Sequence, residues 1–263
     1  MENHILRDIL ENLLKGKISV EEAEKSIKSA RILELSDFAK IDLDRESRKG
    51  MPEIVLAEGK KNDQLIKITS KILDKCGRVF ISRASNEQIS SIEKSFKASI
   101  SYVNKENGLI VLKKEFKTVK TGGKIGILTA GTSDIPIAEE ARIIAEEMGC
   151  EIISSYDVGV AGIHRLVDSL KKIVDNNVDV LIIIAGREGA LPTVVAGLVN
   201  IPIIGVPTST SYGFGKDGIG ALSAMLQTCS LGLAVVNIDG GIPAGTFAAL
   251  IANKIAKERY KEK

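Results

Sequence analysis

Five short turns hold most of the residues that could do chemistry. They are TAGTSD, GVAGIHR, AGREGALP, STSYGFGKDG and LQTCSLG. The last contains Cys229, whose thiolate would be both a good nucleophile and a good leaving group. Leu222, Met225, Leu226 and Cys229 recur at helical spacing, so the thiol reads equally as one more buried core residue. A helix C-terminus does not lower a thiol pKa, so activation would have to come from nearby cations. In TAGTSD, Gly131 allows a tight turn, and Thr132, Ser133 and Asp134 supply two hydroxyls and a carboxylate. They would hold an anion at a helix start, or simply cap the helix. His164 and Arg165 form a pair suited to a carboxylate or phosphate. Arg187 and Glu188 stand between two glycines, as functional charges or as an exposed loop. GFGKDG matches G-x-G-x-x-G at Gly213, Gly215 and Gly218, with Lys216 as a phosphate partner. Its position after a fourth strand differs from the dinucleotide fingerprint, which sits in the first βα turn. It reads as a close-approach loop over a ligand.

Those turns need a scaffold, and the sequence outlines one. From residue 119 onward, apolar runs such as KIGILTAG, DVLIIIAG and IPIIGVPT alternate with helical patterns. Continuous rather than alternating apolar strands indicate a parallel sheet covered on both faces. Five βα units predict a doubly wound, flavodoxin-like α/β domain over residues 119–263, with ligands at the carboxyl ends of its strands. Each of the first four turns follows such a strand. The helix carrying His164 is expected to bury Ile163, Leu166, Val167, Leu170 and Val174. The last helix, GIPAGTFAALIANKI, is rich in small residues that suit close packing against another subunit.

Residues 1–118 read as a smaller α+β domain. Ser19 and Glu22 form a capping box. NDQLIKITSKILDKCG and SNEQISSIEKSF are amphipathic helices, and two strands flank KENG. KTVKTGG reads as the linker.

Composition excludes several classes. A formal net charge of +2 and 4% aromatic residues argue against a nucleic-acid surface. No apolar run is long enough for a bilayer, and the N-terminus lacks a signal peptide, so a cytoplasmic protein is expected. Three cysteines without a C-x-x-C pair and only two histidines argue against a disulfide framework or a structural zinc site. The spacing identifies no metal ligands.

The second half resembles the aminoimidazole ribonucleotide carboxylase fold through GTSD, AGIHR, GREGALPTVVAGLVNIPIIGVPTSTS and ALSAMLQTC. Two departures stand out: Ala190 replaces that family's histidine, and Thr228-Cys229 stands where it has Met-Pro. Over nearly its whole length the chain is similar to the LarB family, pyridinium-3,5-biscarboxylic acid mononucleotide synthases of nickel-pincer cofactor assembly. IDLDRESRKGMPEIVLAEGK, ISRAS, STSYGFG, LQTCSLG and VVNIDGG carry that likeness. It implies carboxylation of the pyridinium ring of nicotinic acid adenine dinucleotide by CO2 or bicarbonate, with release of AMP. It implies Mg2+, no organic cofactor, and a homo-oligomer, the related fold being typically octameric. Cys229 would add to the ring, Asp134 and Glu188 would be catalytic carboxylates, and Arg45, Arg48 and Glu53 would reach the substrate from the first domain. The rival readings are a purine-pathway carboxylase or mutase and a non-catalytic dinucleotide sensor.

Overall fold

The computed structural model describes residues 4–35, 39–42 and 50–261, and it divides the chain into two compact units, Met1–Phe116 and Lys117–Lys263. In the first, α1 (His4–Leu14) and α2 (Val20–Arg31) precede an antiparallel pair, β1 (Ile32–Leu35) and β2 (Ala39–Asp42). The Ser19–Glu22 capping box forms: Glu22 N–H donates to Ser19 Oγ (3.1 Å), and Ser19 N–H to Glu22 Oε2 (2.9 Å). A four-stranded sheet follows, built from β3 (Ile54–Leu56), β4 (Arg78–Ser82), β5 (Ile100–Asn104) and β6 (Leu109–Lys113) in the order β3-β4-β6-β5. Helices α3 (Asn62–Cys76) and α4 (Asn86–Phe96) bury Leu65, Ile68, Ile72, Ile89 and Ile92 against it. Gly77 ends α3 in the left-handed conformation (φ 72°). Ser85 caps α4 by accepting from Gln88 N–H. The β1–β2 hairpin and β3 have too little alternation or length to stand out in the sequence.

The second unit is α/β. Strands β7 (Lys124–Thr129), β8 (Glu151–Ser155), β9 (Val180–Ala185), β10 (Ile203–Pro207) and β11 (Leu233–Val235) form one all-parallel sheet in the order β11-β10-β9-β7-β8. This is the flavodoxin-like doubly wound order, and its topological switch point lies between β7 and β9. On one face α5 (Ile135–Glu147) packs against α9 (Gly241–Lys261). On the other, α6 (His164–Asp175), α7 (Ala190–Ala196) and α8 (Ile219–Leu226) share a core with Leu181, Ile183 and Ala185 of β9. Every residue of β9 is buried, as expected for a central strand covered on both sides.

Three expectations need correction. The small residues of α9 are spent inside the chain. Ala244, Ala248, Ala249 and Ala252 are fully buried, and a Cβ on Gly245 would come within 2.3 Å of Ile144 Cγ2. The apolar stripe of α6 is only partly core: Leu166 and Ile173 are buried, whereas Ile163, Val167 and Val174 are exposed. The reason is that the stripe is wider than the face the sheet covers. Finally, α8 stops at Leu226, three residues short of Cys229. Thr228 Oγ1 instead accepts from Ser230 N–H (3.1 Å), a local side-chain turn that competes with the helix. Cys229 is therefore an exposed loop residue, not part of the core.

Candidate functional site

Because the sheet is entirely parallel, the loops leaving β7, β8, β9 and β10 all open on one end. There they enclose a cleft of about 440 Å³ lined by Ser133, Asp134, Arg165, Arg187, Glu188 and Thr210. The cleft sits at the switch point, where open α/β sheets leave room between oppositely directed loops. Backbone geometry there is unusual. Asp157, Arg187, Asp217 and Asp239 all have positive φ (49–59°), and all four follow strands of this sheet. Non-glycine residues in that region carry strain that clusters at functional sites.

Asp134 is the cleft's buried carboxylate. Its Oδ2 accepts from Gly131 N–H (3.0 Å), closing the short turn Thr132–Asp134. Its Oδ1 accepts from Thr208 Oγ1 (2.7 Å) and, more weakly, from Thr210 Oγ1 (3.4 Å), both on the loop after β10. Burial pushes its pKa up, and these hydrogen bonds to the charged form oppose that rise. No room exists for a side chain at Gly186: a Cβ there would lie 2.6 Å from Thr210 Oγ1 and 2.8 Å from Thr208 Oγ1.

Two guanidiniums face this carboxylate region. Arg165, at the second position of α6, donates from Nη1 to Asp157 Oδ2 (2.6 Å). Asp157 is itself held by its N–H to the buried Thr129 Oγ1 (3.0 Å). Arg187 stacks over the Tyr212 ring, 4.2 Å from its centroid, a cation–π contact that holds the planar fork beside the cleft. Glu188 lines the same cleft and is exposed to it. The set combines two fork-shaped anion binders, one fixed carboxylate and one accessible carboxylate. It can grip an anionic ligand and move a proton at the same time.

The structure thus brings together Ser133, Asp134, Arg165, Arg187 and Glu188. Thr132 is exposed beside the cleft without lining it, and His164 opens α6 on the exposed side. Gly213, Gly215 and Lys216 lie further along the Tyr212 loop, outside the lining. Their motif serves the loop's own fold: Ser211 Oγ donates to Gly215 O (2.8 Å) and accepts from Gly218 N–H (3.1 Å), and Gly215 passes close to Gly220. Glu53 belongs to the first unit, just ahead of β3, while Arg45 and Arg48 lie outside the described residues. Cys229 precedes β11, so it lies at the amino end of the sheet, opposite the cleft. The intervening strands span roughly 15–20 Å at about 3.3 Å per residue. Among the described residues no group of three or more His, Cys, Asp or Glu side chains is placed to hold a metal ion. Sequence reasoning missed Asp157, Thr208, Thr210 and Tyr212, although Thr210 and Tyr212 lie within STSYGFGKDG and the other two stand one or two residues ahead of a turn singled out in the sequence.

A family model for AIR carboxylase matches residues 124–263, the whole of the sheet that builds the cleft. The chain belongs to the AIR carboxylase family. A second model, for the LarB/PurE-like N-terminal domain, matches residues 33–114, which makes this a LarB-type member of that family. The chain is 47% identical over 255 residues to an uncharacterized protein of Methanocaldococcus jannaschii, covering 96% of this chain and 98% of that one. Its second half is 38% identical over 147 residues to the N5-carboxyaminoimidazole ribonucleotide mutase of the same organism, covering 53% of this chain and 88% of the mutase. The mutase of Thermotoga maritima is 30% identical over 129 residues, covering 48% and 66% respectively. Membership of the AIR carboxylase family makes the chain a carboxylase- or mutase-type enzyme. Among the described residues no helix is long and apolar enough to cross a membrane.

Proposed function

We propose that this LarB-type member carboxylates the pyridinium ring of nicotinic acid adenine dinucleotide and hydrolyses its phosphoanhydride. The products are pyridinium-3,5-biscarboxylic acid mononucleotide and AMP, and the setting is cytoplasmic nickel-pincer cofactor assembly. The observation that carries this reading is the make-up of the cleft. Ala190 lines it where the resembled purine enzymes have histidine, and His164 stands outside the lining. Among the described residues of one chain the cleft therefore offers no imidazole, while two guanidiniums suit a substrate with a carboxylate and two phosphates.

A pyridinium carbon is electron-poor and does not attack CO2. Addition of the Cys229 thiolate para to the ring nitrogen gives a dihydropyridine, whose neighbouring enamine carbon is nucleophilic. That carbon bonds to CO2. Glu188, the accessible carboxylate, takes the ring proton from the same carbon. The carbon–sulfur bond then breaks, the electron pair returns to sulfur, and aromaticity is restored. Asp134 and Ser133 hold the sugar and its phosphate, and Arg165 and Arg187 hold the anionic groups. Mg2+ would be carried mainly by the substrate phosphate oxygens, as this ion commonly is, which leaves Glu188 free as the proton acceptor. When bound it would neutralise phosphate charge.

The thiol and the cleft lie at opposite ends of one chain, so the reading requires the thiol of one copy to serve the cleft of another. Two exposed apolar surfaces support such an assembly. Leu226 and Leu231 flank Cys229 at 65% and 90% exposure, and Ile163, Val167, Val174 and Leu198 line an open groove of about 410 Å³ that runs along the length of α6. A homo-oligomer, octameric as the related fold typically is, would cover both.

Incubation with nicotinic acid adenine dinucleotide, bicarbonate and Mg2+, followed by mass spectrometry, tests the reaction. A mononucleotide bearing one additional carboxyl, with AMP released, is the expected result. Turnover of N5-carboxyaminoimidazole ribonucleotide instead would establish the mutase reading.

A further inference from the structure

Asp134 differs from the other charged side chains of the cleft in being surrounded by neutral donors. Thr208 is fully buried and donates to Oδ1 at 2.7 Å. Thr210 lines the cleft and lies 2.9 Å, hydroxyl to hydroxyl, from Thr208 and 3.4 Å from the same Oδ1. Gly131 N–H fixes Oδ2. Two hydroxyls two residues apart thus meet one carboxylate that is 74 residues away in sequence. Thr208 starts the loop by donating its N–H to Ala185 O (3.2 Å), so the hydroxyls are anchored to the end of β9. Gly186 is the residue that leaves them space. A hydroxyl that is fully buried and spent on a carboxylate at the mouth of a cleft does more than fill space. It restricts that carboxylate to one rotamer.

We propose that Thr208 and Thr210 are positioning residues for Asp134, fixing its carboxylate in the one orientation that presents its remaining lone pairs to ligand hydroxyls in the cleft. The device sets ground-state binding and not the chemical step, because Asp134 grips the ligand while other groups react. Its kinetic arm rests on the dinucleotide reading, and its titration arm does not.

The titration arm follows the Asp134 carboxyl carbon by 13C NMR in the full-length, ligand-free protein. Losing a hydrogen bond to the charged form raises a carboxyl pKa. Thr208→Val, which matches the shape of threonine, should move the Asp134 midpoint to higher pH by roughly one unit. Thr208→Ser should leave it near wild type. The other charges around Asp134 are Arg165 and Asp157 beyond β8, and Arg187 and Glu188 beyond β9, with no acidic side chain in the first turn of α5. None of these changes in the variant, so the shift isolates the hydroxyl. Thr210→Val, at an exposed position that tolerates substitution, should give a smaller shift in the same direction. Gly186→Ala should mimic Thr208→Val by pushing both hydroxyls aside.

In the kinetic arm, Thr208→Val should raise the KM for the dinucleotide roughly five- to tenfold, with kcat within about twofold of wild type. Thr208→Ser should restore the KM. An Asp134 midpoint unchanged in Thr208→Val and Gly186→Ala alike, or a KM that does not move, would overturn the proposal. Should Thr208→Val fail to fold, an unmoved midpoint in Thr210→Val overturns it equally. A wild-type protein that does not turn over the dinucleotide at all would sink the substrate reading, and the titration arm would still judge this one.

Discussion

Two buried aspartates sit at opposite ends of one parallel sheet, and they are solved differently. Asp179, at the amino end ahead of β9, is neutralised: the Arg259 guanidinium pairs with its Oδ1, and Lys124 N–H donates to Oδ2 (2.8 Å). Asp134, at the carboxyl end, has only hydroxyl and amide donors, and its pKa is pushed up by burial. The cysteines repeat the contrast. Cys150 at the amino end is buried, donates to Asn253 Oδ1 (3.1 Å), and is pushed up to about 12 by desolvation. Cys229, on another loop of that same end, is exposed. Asn253 completes the first arrangement by accepting from Thr121 Oγ1 (2.6 Å) and donating to Met148 O (3.0 Å). At the amino end, Asp179, Cys150 and Asn253 are satisfied from within the chain. The polar groups at the cleft, and the thiol on its loop, are left with capacity for something outside it.

That comparison can be broken most sharply at the thiols. Cys229→Ala should remove carboxylation by at least roughly three orders of magnitude, as loss of a covalent nucleophile does, while Cys150→Ala should leave turnover per folded molecule near wild type. Equal losses in the two variants, measured by product mass spectrometry, would dissolve the distinction. Next in size are the guanidiniums. Arg187→Ala loses both a charge and its seat on Tyr212, and should cost roughly 10- to 100-fold in kcat/KM. Asp179→Ala, at the other end, should instead lower stability by about 2 kcal/mol and spare kcat/KM, read by denaturant melts alongside kinetics. The smallest effect concerns pH. The folded Cys150 thiol binds its proton more tightly than the unfolded one. Its stabilisation is complete below the ordinary thiol range and is lost as pH rises toward 12. Cys150→Ala should therefore melt with a flatter alkaline dependence, and a slope equal to wild type would contradict the assignment.

The sheet was legible because each strand is a continuous apolar run, and a parallel sheet then dictates which loops share an end. That rule pointed to Ser133, Asp134, Arg165, Arg187 and Glu188 as neighbours, and equally to Thr132, His164, Gly213, Gly215 and Lys216, which the cleft lining leaves out. The hydroxyl pair on Asp134 was not legible. The threonines of TSTSYGFG carry no pattern of their own, and their partner is brought near only by the strand order β10-β9-β7. The Gly-x-Gly spacing drew attention to the wrong part of that loop, since its glycines serve the loop's turn. Cys229 was misplaced for a local reason: periodicity continued past Leu226, but the Thr228 hydroxyl ended the helix first. The place of Cys229 ahead of the parallel strand β11, in helix or loop alike, puts it at the end of the sheet opposite the cleft, and the proposed second copy answers that placement.

Mixing two inactive variants tests the need for that second copy most directly. Cys229→Ala lacks the thiol and Glu188→Gln lacks the proton acceptor, and each alone should be inactive. Dissociated and reassembled together in equal amounts, they should recover about a quarter of wild-type carboxylation, because that share of sites pairs an intact cleft with an intact thiol from another chain. If both residues acted within one chain, every site in the mixture would carry a defect. Activity no greater than that of the separate variants, in oligomers shown to contain both chains, would contradict the account.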